Sequence, residues 1–128
     1  MDLIFPKKLE ELQKALVTFH EALNTKSSTP DLQRDACVLR FIYTSELFWK
    51  TLKVYLREEA QVDTAYPKET ARQLRNIKVF SDEETEVGLQ MIEDRNFCVH
   101  AYQEAVAEKI FRKTKDYYSF MQQTLSKI

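Results

Sequence analysis

The stretch that decides the fold is DLQRDACVLRFIYTSELFWKTLKVYLREEAQ, running from Asp31 to Gln61. Within it Cys37, Phe41, Thr44, Phe48, Thr51 and Tyr55 recur at alternating spacings of four and three. That is the repeat of one helical face, not the every-second-residue repeat of a strand. Val38, Leu47, Leu52 and Leu56 widen the face on one side, and Trp49 lies beside it. A helix apolar over so wide an arc has room for more than one neighbour. It is longer than the usual three to four turns, which allows a kink near its start.

The rest of the chain agrees with a helical reading. Among 128 residues there is one glycine, Gly88, and three prolines, Pro6, Pro30 and Pro67. A sheet protein needs more turn residues than this, whereas a few long helices do not. With 44% apolar and 30% charged residues, residues 1–128 suit one domain around one core. The net charge of -1 gives no general attraction to nucleic acid. No apolar run is long enough to span a bilayer, and the start lacks the basic flank of a secretory signal. Cys37 and Cys98 form no spaced framework and read as free buried thiols of a cytoplasmic protein.

Leu9, Leu12, Leu16, Phe19 and Leu23 form a stripe that predicts a helix from Pro6 to about Asn24. The Ser-Ser-Thr-Pro run ending at Pro30 is a loop. Pro67 opens a short helix reaching Asn76, with Leu74 and Ile77 as its anchors. Ser81 followed by Glu84 matches a capping box. Beyond it Val87, Met91, Arg95, Cys98 and Tyr102 are expected on one seam, with Leu89, Ile92 and Val99 beside it. A last helix covers Ala105 to Lys127, with a seam of Val106, Ile110, Lys113, Tyr117, Phe120 and Leu125. No strong breaker at Gln103 and Glu104 decides whether a helix ends there. The expected fold is all-α, an antiparallel up-and-down four-helix bundle with an additional short helix.

Few residues can carry chemistry. Two histidines 80 positions apart and one glycine leave no support for a zinc or di-iron site, a phosphate loop or a dinucleotide fingerprint; no metal or cofactor is expected. Arg95, His100 and Tyr102 cluster instead within eight positions. On a continuous helix the side chains of Arg95 and His100 would point roughly 140° apart, yet the long arginine can reach a cleft shared with the histidine, above all where a second chain completes it. Arginine pairs with phosphate oxygens through a rigid fork. Histidine exchanges protons near neutral pH. Together they suit metal-free cleavage of RNA, with Tyr102 stacking on a base or positioning phosphate. The competing readings are a solvated arginine, paired with Asp94 or Glu93, and a structural histidine.

The helix expected over Asp31 to Gln61 adds Arg34, Asp35, Arg40, Glu46, Trp49 and Lys50 as candidates for ion pairing, dimer packing or ligand contact. Tyr117 and Tyr118 read as core and rim, and His20 as structural or exposed. Lys109, Arg112, Lys113 and Lys115, interleaved with Glu108 and Asp116, read as a solvated face or a partner surface.

The segment Asp35 to Lys53, then Pro67-Lys68-Glu69, then Met91-Ile92-Glu93-Asp94-Arg95-Asn96 with His100 and Tyr102, resembles a known family. It is similar, over about Leu9 to Phe120, to the nucleotidyltransferase substrate-binding proteins of the HEPN superfamily. That resemblance implies a homodimeric helical bundle working with a separately encoded minimal nucleotidyltransferase, and with RNA or nucleotide as ligand. In related toxin–antitoxin modules the helical protein is a ribonuclease. The resemblance places catalytic roles on Arg95 and His100 and the motif's polar residue on Asn96. It places the tyrosine that the partner enzyme adenylylates on Tyr102. Arg40, Trp49, Lys50 and Asp94 are expected to support the cleft or dimer. Two other roles fit the resemblance: a non-catalytic nucleotide- or substrate-binding subunit, and a structural homodimer. Ile42, Ser45 and Phe48 depart from the family's usual residues, and Lys78-Val79-Phe80 stands where a glycine is usual.

Overall fold

The computed structural model describes residues 3–128; Met1 and Asp2, part of the start expected to carry no signal, lie outside them. Five helices follow one another: α1 (Phe5–Asn24), α2 (Pro30–Ala60), α3 (Pro67–Asn76), α4 (Asp82–Phe97) and α5 (Glu104–Leu125). A single 3-10 turn, Cys98–His100, extends α4. The fold is an all-α bundle of four long helices and one short one. The helix starts, and the ends of α1, α2, α3 and α5, fall within about two residues of those read from periodicity, whereas α4, whose seam was expected to reach Tyr102, ends at Phe97. α2 runs unbroken across the place where a kink was allowed.

Each helix starts for a local reason. α1, α2 and α3 carry proline in the first turn, where no intrahelical N–H bond is lost. The carboxylate of Glu58, near the end of α2, accepts from the N–H groups of Ile4 (2.9 Å) and Phe5 (3.1 Å) and so ties down the start of α1. At α4 the capping box forms as the sequence predicts. Ser81 Oγ accepts from Glu84 N–H at 3.1 Å, and the Glu84 carboxylate accepts from Ser81 N–H at 2.9 Å.

The α3–α4 connection resolves the missing glycine. Lys78 takes the left-handed backbone conformation, φ 64°. Its N–H donates to Arg75 C=O, and that of Val79 to Leu74 C=O, at 3.0 and 2.9 Å. This pair of bonds is a Schellman close, in which glycine ordinarily holds the left-handed position. Here a lysine accepts the strain. Ile77, expected as an anchor, is 38% exposed, and Phe80 is buried beside Leu74 instead. The close turns the chain at Ile77, so the next apolar residue to reach the core is Phe80.

α2 is the central element and touches α1, α3, α4 and α5. Its apolar residues meet Leu12, Leu16 and Phe19 of α1 and Ile110, Tyr117, Phe120 and Met121 of α5 in one core cluster. Removing such side chains from water at about 25 cal/mol per Å² is the main favourable term for the bundle. Trp49, Phe80 and Phe120 form an aromatic group, with centroids 6.4 Å apart for Trp49–Phe80 and 5.4 Å for Phe80–Phe120. Gly88 lets the indole approach: a Cβ there would stand 3.1 Å from Trp49 Cη2.

The α4 seam differs from the expected one. Met91 and Cys98 are buried, but Val87 and Tyr102 are exposed, and Arg95 is only half-buried. The face against the core consists of Thr85, Gly88, Met91, Ile92 and Asp94. Burying Asp94 is possible because Tyr117 Oη donates to its Oδ2, Lys113 Nζ lies 3.1 Å from the same oxygen, and Gln90 Nε2 donates to Oδ1 at 3.0 Å. A buried carboxylate needs such partners. Burial and the adjacent Asp94 push the Tyr117 phenol well above its usual range. Both cysteines are free and buried.

Candidate functional site

An open cleft of about 440 Å³ lies between the middle of α2, the loop entering α3 and the last turn of α4. α2 supplies Ser45, Glu46, Trp49, Lys50 and Lys53. These follow the i, i+4 and i+3 spacings that bring helical side chains to one face. The α3 side contributes Ala65, Tyr66, Pro67 and Thr70, and α4 contributes Ile92, Arg95 and Asn96.

The walls are fixed by cross-links. Thr64 and Thr70 share a buried hydrogen bond of 2.7 Å, and Ala65 N–H donates to Glu69 Oε2 at 3.0 Å. Lys68 pairs with Glu93 between α3 and α4. Arg95 pairs across the cleft with Glu46 of α2. This settles the partners weighed for Arg95: Glu93 is engaged by Lys68, and Asp94 faces the core. Two polar atoms of lining residues, Ser45 Oγ and Trp49 Nε1, are buried without a hydrogen-bond partner.

Of the residues singled out from sequence, the cleft gathers Arg95, Asn96, Trp49 and Lys50. It leaves out His100, Tyr102, Arg40 and Asp94. His100 lies on the 3-10 turn, exposed, with its ring 5.1 Å from that of Phe97. Tyr102 follows at 81% exposure. α4 ends at Phe97, so the continuous-helix relation between Arg95 and His100 does not hold. The tighter 3-10 winding of Cys98–His100 changes the register of the residues after Phe97, and the extended Gln103 starts α5 in a new direction.

Arg40 works elsewhere, donating to Thr18 C=O at 2.6 Å and joining α2 to α1. Arg34 is buried among Asp31, Asp35 and Glu108 at 3.4, 3.0 and 3.5 Å, a structural ion-pair group. Lys113 turns inward to Asp94, while Lys109, Arg112 and Lys115 stay exposed. Burial pushes the Cys98 thiol up to about 11, opposed by Arg95 and aided by Asp94.

Sequence reasoning missed Ser45, Lys53 and Tyr66 as wall residues. Lys53 was readable from its spacing to Trp49 and Lys50. Ser45 and Tyr66 were not, because their roles depend on where the α2–α3 loop folds back.

The fold and its cleft define a class, that of small all-α bundles with an open cleft on one side. The chain belongs to the nucleotidyltransferase substrate binding protein like family, whose sequence profile matches residues 7–128. A crystal structure from Thermus thermophilus is similar, at 41% identity and a TM-score of 0.84, covering 90% of this chain and 96% of that one. No curated protein matches the chain. Among the described residues no helix is long and apolar enough to cross a membrane.

Proposed function

We propose that the protein is the helical partner of a separately encoded minimal nucleotidyltransferase, and that as a homodimer of HEPN type it cleaves RNA without metal. The observation that carries this reading is the signature Arg95, His100 and Tyr102. Its arginine borders an open cleft, and its histidine and tyrosine stand on an exposed turn flanked by exposed Phe97 and Val99. Apolar side chains so displayed favour burial against a second copy, which would bring His100 of one protomer toward a shared cleft.

There a ribose 2′-hydroxyl attacks the adjacent phosphorus while His100 takes its proton. Arg95 offsets charge on the non-bridging oxygens. The bond to the 5′-oxygen breaks, and the histidine returns a proton to it. The products are a cyclic phosphate and a free 5′-hydroxyl. Tyr102 is the site for silencing: its phenol oxygen displaces pyrophosphate from ATP held by the nucleotidyltransferase and acquires AMP. Exposure of that phenol supports the reading, which places the pair of proteins in the cytoplasm.

The pairing of Arg95 with Glu46 and the position of His100 outside the cleft favour a second reading, a non-catalytic nucleotide-binding subunit. The two separate in one assay. Purified protein in EDTA is expected to cleave RNA, and Arg95→Ala and His100→Ala to lose the activity. Equal or absent cleavage in all three overturns the cleavage reading. Incubation with the nucleotidyltransferase and ATP is expected to add one AMP to Tyr102 by mass analysis and none to Tyr102→Phe.

A further inference from the structure

A second groove, of about 400 Å³, runs between the last turn of α1 and the middle of α5 and shares no lining residue with the cleft. Two rings stand in it as a stack. His20 lies against Tyr118 with centroids 5.1 Å and planes 27° apart. Both rings are held in place. The Phe19 ring meets Tyr118 edge-on at 5.8 Å, Gln122 Nε2 donates to Tyr118 Oη at 2.9 Å, and Asn24 Nδ2 lies 2.9 Å from His20 Nε2. Tyr118 is half-buried and His20 exposed, so the outer face of the imidazole is open to a further flat group. Half-buried Leu23 and Phe111 line the groove beside the rings, and exposed Arg112 and Lys115 supply two cations with no acid in the lining. Arg112 meets Glu108 only at 4.0 Å, and that side chain also serves Arg34 at 3.5 Å. Asp116 falls about 100° round the helix from Lys115 and outside the groove. The negative end of the α1 dipole is covered as well, because the carbonyls from His20 to Leu23 accept from the side chains of Asn24, Thr25 and Gln33.

We propose that this groove holds a single strand of RNA, with one base stacked on the open face of His20 and the adjoining phosphates on Arg112 and Lys115. Cations beside an aromatic face suit a strand whose bases are unpaired and free to stack. A duplex hides its base faces, and an acidic peptide brings charge without a base to lay on the platform. The choice of RNA rests on the cleavage reading. The groove contains neither Arg95 nor His100, so it holds the strand away from the point of scission and sets affinity rather than the chemical step.

Binding is measured on the full chain carrying His100→Ala, in EDTA, by the fluorescence anisotropy of a labelled single-stranded RNA of about 12 nucleotides. Adding His20→Ala is expected to weaken binding about tenfold, and His20→Phe, which restores a ring, to recover it. Arg112→Ala and Lys115→Ala each weaken it severalfold and lower the slope of log affinity against log salt by about 0.7. Lys7→Ala, at the far end of α1, leaves affinity unchanged, and the duplex form of the same RNA binds at least about tenfold more weakly. His20, Arg112 and Lys115 are exposed, so none of these substitutions disturbs the core. Unaltered affinity in His20→Ala, or an unaltered salt slope in the two cation variants, overturns the proposal. So does a His20→Phe protein that binds as poorly as His20→Ala. Equal affinity for the duplex, or displacement of the RNA by polyglutamate of equal charge, overturns it too. Cleavage by the natural protein is scored separately. Its absence beside His20-dependent binding removes the cleavage reading and leaves the groove, and its presence beside unaltered binding in these variants does the reverse.

Discussion

Asp94 brings a carboxyl group into the bundle interior, and the price of that placement is three polar neighbours on α4 and α5. Tyr117→Phe removes the buried donor and keeps the ring. It is expected to destabilise the protein by about 1–3 kcal/mol in urea unfolding, and a change near zero would show that Lys113 and Gln90 suffice for the carboxylate. The neighbouring Cys98 thiol, raised to about 11, stays protonated at neutral pH. Alkylation of Cys98 in the folded protein is therefore expected to be far slower than in urea, with equal rates counting against its burial. Asp94 also shows where reading by apolar pattern ends. The expected α4 seam carried Arg95 and missed Asp94 because periodicity scores a carboxylate as surface. Only the facing phenol and ammonium of α5 make the interior tolerable for it, and those arrive through tertiary packing.

At the scale of elements, the capping box was legible in four consecutive residues because every one of its contacts is local. Glu84 also reaches Lys127 beyond α5. That bond first, and the Ser81 N–H second, hold its carboxyl below the usual glutamate range. A lowered folded-state pKa contributes stability above the unfolded value of about 4.3, lost as pH falls through the folded value. Glu84→Gln keeps an acceptor for the cap but no charge. The melting temperature of the natural protein is thus expected to exceed that of Glu84→Gln at neutral pH and to converge with it in acid. A gap unchanged by pH would count against the charge. The close after α3 is the opposite case. Nothing in Lys78-Val79-Phe80 announces a left-handed residue, and Lys78 holds that conformation at a cost glycine would avoid. Lys78→Gly is expected to raise stability by up to about 1 kcal/mol in urea unfolding, the relief exceeding the added chain entropy of glycine; destabilisation would mean the lysine side chain has a compensating role.

For the molecule as a whole, helix number, order and most limits were readable because amphipathic periodicity encodes them directly; the end of α4 was not, because no breaker marks it. The cleft was half readable. Its α2 stripe has a regular spacing, but Tyr66 joins it only through the returning loop, and the separation of His100 from Arg95 follows from the end of α4 at Phe97. The proposed dimer predicts that Val99→Asp, on a residue 67% exposed, shifts sedimentation toward the monomer and lowers RNA cleavage with it. A variant that stays dimeric would place the contact on another face. The central position of α2 has a last consequence, in the order in which the protein is made. α1 and α2 can pair as soon as both have left the ribosome, yet the α2 residues that face α5 remain bare until that final helix emerges. The half-made chain is therefore an amphipathic hairpin with an open apolar side, and aggregation or chaperone capture is concentrated in that interval of synthesis.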